Sequence, residues 1–224
     1  MGLKVKGVVF DMDGTLIDSL GFWGYLWSRM GQRYFSDPTF LPSDSFDKQV
    51  RTMLFKDAML AFRDKYGIEE RWENVLAFAE SGLAEFYREV AKVKRGAFEL
   101  LDHLLNRGIK VCIASATELK WIPDALDSAG LKSYFPIVLS CSEIGVGKDK
   151  PDIYYLASEK LGLSPSDIAV VEDSYLALET ARASGFRTVG VFDKHNYSQD
   201  RLCAASDIYL SEGESLADLI GEIL

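Results

Sequence analysis

Two aspartates separated by a single methionine, Asp11 and Asp13, follow the apolar stretch KVKGVVF at residues 4–10. A buried carboxylate is unfavourable unless a cation or hydrogen-bond donors compensate for its lost hydration. Alternate residues of an extended chain point in the same direction, so both carboxylates are expected to face one pocket. The spacing therefore predicts an acidic pair placed for chemistry at the end of a buried strand.

Other polar residues also end apolar runs. Glu172 and Asp173 follow DIAVV at residues 167–171, and Ser115 follows IKVCIA at residues 109–114. The carboxyl ends of parallel strands meet at one edge of a sheet, where ligands bind, so we expect these groups to converge there. Four carboxylates cannot all stay ionised together without a cation. Oxygen ligands without histidine or cysteine suit Mg²⁺, and such a site with a serine and a lysine fits phosphoryl transfer.

Predicted strands and helices, which must position these residues, alternate along most of the chain. Continuous apolar strands alternating with amphipathic helices predict an α/β fold with a doubly wound parallel sheet. The predicted strands are 4–10, 109–115, 136–140, 167–173, 186–192 and 207–210. The predicted helices are 96–108, 119–130, 151–162, 174–185 and 214–223.

The segment at residues 17–93 breaks this alternation. It has helical periodicity with no convincing strand, which predicts a helical domain inserted into an α/β core formed by 1–16 and 94–224. The aromatic residues at the start of the insertion are interpreted as its own core rather than as a substrate-binding face. These residues are Phe22, Trp23, Tyr25 and Trp27.

Composition limits the partners. The net charge is −9 and no lysine and arginine run is present, which argues against nucleic acid as a partner. No apolar stretch approaches the ~20 residues needed to span a bilayer, and the N-terminus has no signal-peptide pattern. We therefore expect a soluble cytoplasmic protein that does not bind a membrane; no sequence feature specifies an oligomeric state.

Four segments, in this order along the chain, resemble the motifs of the haloacid dehalogenase superfamily of phosphohydrolases. They are DMDGT at 11–15, Ser115, GKDKPD at 147–152 and VVEDS at 170–174. The resemblance covers essentially the whole chain and is to the capped subfamily I, which includes β-phosphoglucomutase and phosphoglycolate phosphatase. It implies a Rossmann-like core with an inserted helical cap, and a Mg²⁺-dependent phosphatase. The implied substrate is a small phosphorylated metabolite, such as a sugar phosphate, hydrolysed through an aspartyl-phosphate.

The resemblance also implies roles for single residues. Asp11 is the expected nucleophile, and Asp13 the general acid that protonates the leaving oxygen and then the general base that activates water. Ser115 and a lysine of the third motif are expected to bind the phosphoryl group. Lys148 and Lys150 both lie in that motif, and the family spacing favours Lys148.

The implied metal ligands are Asp11, Asp13 through its backbone carbonyl, Glu172 and Asp173. Closure of the helical cap over the site would exclude water during phosphoryl transfer.

Two other functions share parts of this pattern. A sugar-phosphate mutase of the β-phosphoglucomutase type has the same core and cap, and the Ser-Ala-Thr at 115–117 partly resembles its Ser-Ala-Ser, whereas Gly14-Thr15 resembles the phosphatases more closely. A signalling receiver domain also uses an aspartate, Mg²⁺ ligands, a hydroxyl and a lysine. A second aspartate at the acid-base position and the long insertion argue against a receiver.

Overall fold

A computed structural model describes residues 3–51, 53–196 and 198–223 of the chain. The chain divides into two compact units, one formed by Met1–Leu20 and Ala91–Leu224 and the other by Gly21–Val90. The first unit contains every strand found in the described residues, and the second is helical.

The strands of the first unit belong to two sheets. In chain order they are β1 (Gly7–Phe10), β2 (Ile17–Asp18), β3 (Lys92–Val93), β4 (Lys110–Ser115), β5 (Val138–Ser140), β6 (Ile168–Glu172), β7 (Arg187–Val191) and β8 (Ile208–Leu210). Six of them form a sheet in the order β5-β4-β1-β6-β7-β8, and all of its neighbouring pairs are parallel.

The α-helices follow the same chain order. They are α1 (Phe22–Phe35), α2 (Asp44–Val50), α3 (Phe55–Lys65), α4 (Trp72–Glu85), α5 (Ala97–Asn106), α6 (Ile122–Ser128), α7 (Cys141–Ile144), α8 (Asp152–Leu161), α9 (Tyr175–Ala183) and α10 (Gln199–Ala205). A π-helical turn, Phe86–Val90, continues α4. Among the described residues, every helix falls short of the length and apolar character that crossing a bilayer requires.

The position of strand β1 in the middle of the sheet determines where a site can form. It pairs with β4 on one side and β6 on the other, with Phe10 opposite Ile113 and Val171. All four residues of β1 are buried, as a strand covered on both faces of a sheet must be. The chain order reverses at this strand, and such a switch point leaves a crevice at the carboxyl ends of the strands. The predicted doubly wound α/β fold is confirmed.

A two-stranded antiparallel ladder, which the sequence did not reveal, joins the two chain segments that flank the helical unit. In it Ile17 faces Val93 and Asp18 faces Lys92. The Lys94 amide adds a hydrogen bond of 2.8 Å to the Leu16 carbonyl. Strands of two residues carry too little alternation to be recognised in a sequence.

The helical unit has its own aromatic core. Trp27 is almost fully buried and stacks on Phe62 with ring centroids 5.4 Å apart. Its indole N–H donates a hydrogen bond of 2.6 Å to Asp47, so the one polar atom of the ring is satisfied. Phe22 is also buried, in agreement with the interpretation of these aromatics as core residues, whereas Trp23 remains partly exposed.

Some predicted elements differ from the structure. The terminal helix expected at 214–223 is a shorter 3₁₀-helix, Leu216–Gly221. Gly213 before it has a left-handed φ of +90°, which an α-helix cannot continue, and Ser215 with Asp218 forms a capping box at the new start. The short helices α7 and α10 were not predicted, because their four and seven residues span only about one and two turns of periodic pattern.

Candidate active site

The first acidic pair lies where β1 ends. The Asp11 amide donates a hydrogen bond of 2.9 Å to the Val171 carbonyl, which continues the pairing with β6 and fixes Asp11 at the sheet edge. Asp11 is only 6% exposed. After Asp13 the chain turns at Gly14, whose φ of +82° lies in the left-handed region where glycine is unstrained.

A lysine ammonium group joins the two strand ends. The Lys148 Nζ contacts both an Asp11 oxygen and a Glu172 oxygen, and the Lys148 side chain is about one-tenth exposed. Lys148 lies in the loop between α7 and α8, which brings it from the third motif to the cluster. The other candidate, Lys150, is exposed on the same loop. The geometry therefore agrees with the choice of Lys148.

The second acidic pair ends β6. Glu172 accepts a hydrogen bond of 3.1 Å from the Ser174 amide, just before α9, and is 1% exposed. Asp173 accepts a hydrogen bond of 3.1 Å from the Thr15 hydroxyl. Asn196 adds its side-chain amide, which donates to the Asp173 backbone carbonyl at 2.9 Å and also contacts the carboxylate. Two distant chain segments, at Thr15 and Asn196, thus hold Asp173 in place.

Asp11 and Asp173 have raised pKa values, chiefly because their carboxyl groups are buried and also because other carboxylates lie nearby. Burial raises the pKa of Asp11 well above its ordinary value, against the lowering effect of Lys148, and the neighbouring carboxylates raise it further. Burial, followed by the charge of Glu172, raises the pKa of Asp173 to about 7. Burial alone lowers the pKa of Lys148, yet the charges of Asp11 and Glu172 raise it well above its ordinary value. One ammonium does not balance three buried carboxylates, so the cluster favours a further cation.

The donor set fits a magnesium ion. Asp11, Glu172 and Asp173 each offer a carboxylate oxygen, and these oxygens lie within 4.8 Å of one another. All three ligands are hard oxygens, which suits Mg²⁺ better than a metal that prefers sulfur or imidazole. A backbone contribution from Asp13 stays a prediction.

Asp13 is held by hydroxyl groups. Ser19 donates to one carboxylate oxygen at 2.6 Å, and Thr117 donates to the other at 2.7 Å. Thr117 follows β4, so this contact joins the first and second motifs. The arrangement leaves Asp13 less buried than Asp11, as expected for a group that exchanges a proton with a substrate.

Ser115 lies at the carboxyl end of β4 and is 1% exposed. Its hydroxyl oxygen accepts a hydrogen bond of 3.0 Å from the Thr117 amide. The structure thus places all six predicted side chains at one sheet edge: Asp11, Asp13, Ser115, Lys148, Glu172 and Asp173. Their roles in catalysis stay predictions.

The sequence did not point to several residues that hold this edge together. Asn196 supports Asp173, and the buried side chain of Asp193 forms an ion pair of 2.6 Å with Lys94. Both residues follow β7, and the rule that polar groups gather at the carboxyl ends of strands would have singled them out.

Comparison with known proteins places the chain in a family. The model of the haloacid dehalogenase-like hydrolases matches residues 5–185. The phosphorylated carbohydrates phosphatase of Thermotoga maritima is 24% identical over 98% of this chain and 100% of that protein. Hexitol phosphatase A of Escherichia coli is 28% identical over 84% of each chain.

A solved structure shares the fold. A Thermotoga maritima protein provisionally described as a beta-phosphoglucomutase superimposes with a TM-score of 0.82 at 23% identity, over 98% of this chain and 100% of the other. At this identity the likeness shows the architecture alone. The family match over most of the chain confirms the expected hydrolase family: this protein belongs to the haloacid dehalogenase-like hydrolases, and its relatives include phosphatases.

Proposed function

We propose that the protein is a Mg²⁺-dependent phosphatase that hydrolyses a small phosphomonoester. The observation that carries this proposal is the buried cluster of Asp11, Lys148, Glu172 and Asp173 at the carboxyl ends of β1 and β6. Such a cluster offers a nucleophilic carboxylate, a cation for phosphoryl oxygens and ligands for a hard metal ion. The names of the relatives, which refer to phosphorylated carbohydrates and hexitols, support a sugar or polyol phosphate as substrate.

The proposed reaction has two steps. A carboxylate oxygen of Asp11 attacks phosphorus, the bond from phosphorus to the ester oxygen breaks, and Asp13 gives its proton to the departing alcohol. Asp13 then takes a proton from a water molecule that attacks the phosphoryl group. Inorganic phosphate leaves, and the Asp11 carboxylate is restored.

The charges around Asp11 support these steps. Asp11, Glu172, Asp173 and the backbone carbonyl of Asp13 would hold the magnesium ion. When bound, the ion supplies positive charge that offsets the carboxylates and the phosphate. Lys148 and Ser115 bind phosphoryl oxygens and orient phosphorus toward Asp11.

We propose that the helical unit, Gly21–Val90, acts as a cap, which makes the proposed cap slightly shorter than the 17–93 expected from the sequence. A cap limits the substrate to a small metabolite and excludes water while the phosphoryl group moves to Asp11. Its role is tested by a panel of phosphomonoesters of increasing size, in which activity should fall for the bulkiest members.

Phosphate release from a panel of sugar, polyol and carboxylic-acid phosphomonoesters tests the proposal. Intact protein should release phosphate with Mg²⁺ and lose this activity with excess EDTA, and Asp11→Asn should be inactive under both conditions. Release by intact protein no faster than by Asp11→Asn would overturn the proposal.

The same samples separate the alternatives. Isomerisation of β-glucose 1-phosphate without net phosphate release would indicate a mutase. A stable phosphorylated Asp11 without turnover would indicate a phosphoacceptor switch.

A further inference from the structure

Thr117 stands out among the residues around Asp13 because its backbone and its side chain are both anchored. Its amide donates to the Ser115 hydroxyl oxygen at 3.0 Å, and its carbonyl accepts a hydrogen bond of 2.6 Å from the Ser140 hydroxyl. Ser115 and Ser140 are each 1% exposed and end the neighbouring strands β4 and β5. Thr117 is therefore fixed by two strand ends of the sheet.

Ser140 is itself fixed. Its hydroxyl oxygen accepts a hydrogen bond of 3.1 Å from the Ser142 amide at the start of α7. A short cap of this kind orders the chain after β5 and orients the hydroxyl toward Thr117. Thr117 is thus connected through Ser140 to the end of β5 and the start of α7.

The side chain of the anchored Thr117 contacts Asp13. Its hydroxyl donates to the Asp13 Oδ2 at 2.7 Å, a short bond to a carboxylate oxygen. A donor fixed on Oδ2 restricts rotation of the carboxyl group, and Oδ1, which accepts a hydrogen bond of 2.6 Å from the Ser19 hydroxyl, keeps a second lone pair that can carry a proton. General acid catalysis requires such fixed geometry, since the proton must reach the departing oxygen as its bond to phosphorus breaks.

We propose that Thr117 is a positioning residue for the Asp13 general acid. It holds Oδ2 so that the proton on Oδ1 is directed at the ester oxygen of the substrate. This assignment rests on the proposed phosphatase function and adds a residue to it. The family resemblance gave roles to Ser115 and to the aspartates but none to the second residue after Ser115.

The test compares leaving groups of different basicity. Glucose 6-phosphate releases an alcohol, which needs a proton, whereas p-nitrophenyl phosphate releases a weakly basic phenolate that leaves without one. kcat/KM reports only the steps up to departure of this group, so slow hydrolysis of phospho-Asp11 does not obscure the comparison.

Thr117→Val removes the hydroxyl with little change in shape. Because general acid catalysis contributes about 100-fold or more, we expect kcat/KM for glucose 6-phosphate to fall at least about tenfold and that for p-nitrophenyl phosphate to change less than about twofold. Thr117→Ser keeps the hydroxyl and should restore glucose 6-phosphate hydrolysis to within about threefold of the intact protein. Thr180→Val is the matched control, because the Thr180 hydroxyl donates to the Leu176 carbonyl of its own helix.

The outcomes separate this assignment from the proposed function. An equal loss on both substrates, or a failure of Thr117→Ser to restore the alkyl substrate, would mean that Thr117 only supports its loop, and the assignment would fall while the phosphatase stood. If the intact protein hydrolyses another alkyl phosphomonoester of the panel faster than glucose 6-phosphate, that ester takes its place in the comparison, and hydrolysis of no phosphomonoester at all would overturn the proposed function and the assignment together.

Discussion

The Asn196 side-chain amide donates a hydrogen bond of 2.9 Å to the backbone carbonyl of Asp173 and also contacts the Asp173 carboxylate. One residue thus holds a proposed metal ligand at both its main chain and its side chain. Loss of a residue that orients a ligating carboxylate commonly lowers metal affinity roughly 10- to 100-fold. The loop after β7 is therefore part of the proposed magnesium site without supplying a ligand.

Asn196→Ala should weaken Mg²⁺ binding about tenfold, because Asp173 loses its main orienting donor. Isothermal titration calorimetry measures this directly in the absence of substrate. Asn106→Ala, at an exposed asparagine ending α5, is the control and should bind Mg²⁺ like the intact protein. Equal Mg²⁺ affinity of the two variants would contradict the role given to Asn196.

Gly14→Ala should abolish Mg²⁺ binding and phosphatase activity. A Cβ atom at this position would lie 2.5 Å from an Asp173 carboxylate oxygen and 2.9 Å from the Leu20 side chain, so the Asp173 carboxylate, a proposed metal ligand, must move. Gly108→Ala is a matched control, because Gly108 also has a left-handed φ, +71°, but faces open space. The control should lose about 1–2 kcal/mol of stability from backbone strain and keep its activity. Equal activity losses in both variants would show that strain, rather than displacement of Asp173, is responsible.

Lys148→Met should inactivate the enzyme and lower the free energy of unfolding by about 3 kcal/mol, since removing one partner leaves buried carboxylates uncompensated. Urea unfolding at neutral pH in EDTA measures the stability change. Lys150→Met should change neither quantity, because Lys150 is exposed. The opposite pattern, with activity lost only on substitution of Lys150, would reverse the assignment of the phosphate-binding lysine.

The stability of the metal-free protein should depend on pH through Asp173. Burial and the charge of Glu172 raise the pKa of Asp173 from 3.8 to about 7, so the folded state binds this proton more tightly than the unfolded state. The resulting stabilisation is fully present below pH 3.8 and is lost as the pH rises through about 7. Relative to Asp173→Asn, the intact protein should lose on the order of 2 kcal/mol between pH 5 and pH 8 in EDTA, measured by urea unfolding.

Magnesium should reverse this trend, because the metal binds the ionised carboxylates. The rise in Tm on adding Mg²⁺ should be larger at pH 8 than at pH 5.5, as followed by differential scanning calorimetry. A Mg²⁺-induced rise that is independent of pH would mean that the proton and the metal do not compete for this cluster.

The sheet and its acidic edge were predictable because their signals are strong and local. Continuous apolar runs indicated each of the six strands of the main sheet, and the polar residues at the ends of three of them, β1, β4 and β6, indicated where the site lies. Lys148 could be separated from Lys150 only by the family spacing, since both are lysines of one loop. In the structure the side chain of Lys148 contacts Asp11 and Glu172, whereas Lys150 is exposed.

The contacts of the supporting residues could not be predicted, because their partners are distant in sequence. Thr117 and Asp13 are 104 residues apart, and Lys94 and Asp193 are 99 apart. Only the packing of parallel strands brings them together, and a single serine, threonine or asparagine after a strand is ordinarily a cap or a turn residue. The two-residue strands β2 and β3 could not be predicted for a similar reason, because the whole helical unit separates them in the sequence.

The pairing of β2 with β3 makes the chain topologically a hairpin whose loop is an entire folded unit. Because Asp18 and Lys92 face each other across the ladder, the chain leaves and re-enters the α/β unit at neighbouring points. The register of the six-stranded sheet requires only that the two ends of this loop lie side by side. The loop can therefore vary in length and sequence without shifting the strands of that sheet. The helical unit can therefore change in sequence and size while the side chains at the sheet edge keep their positions.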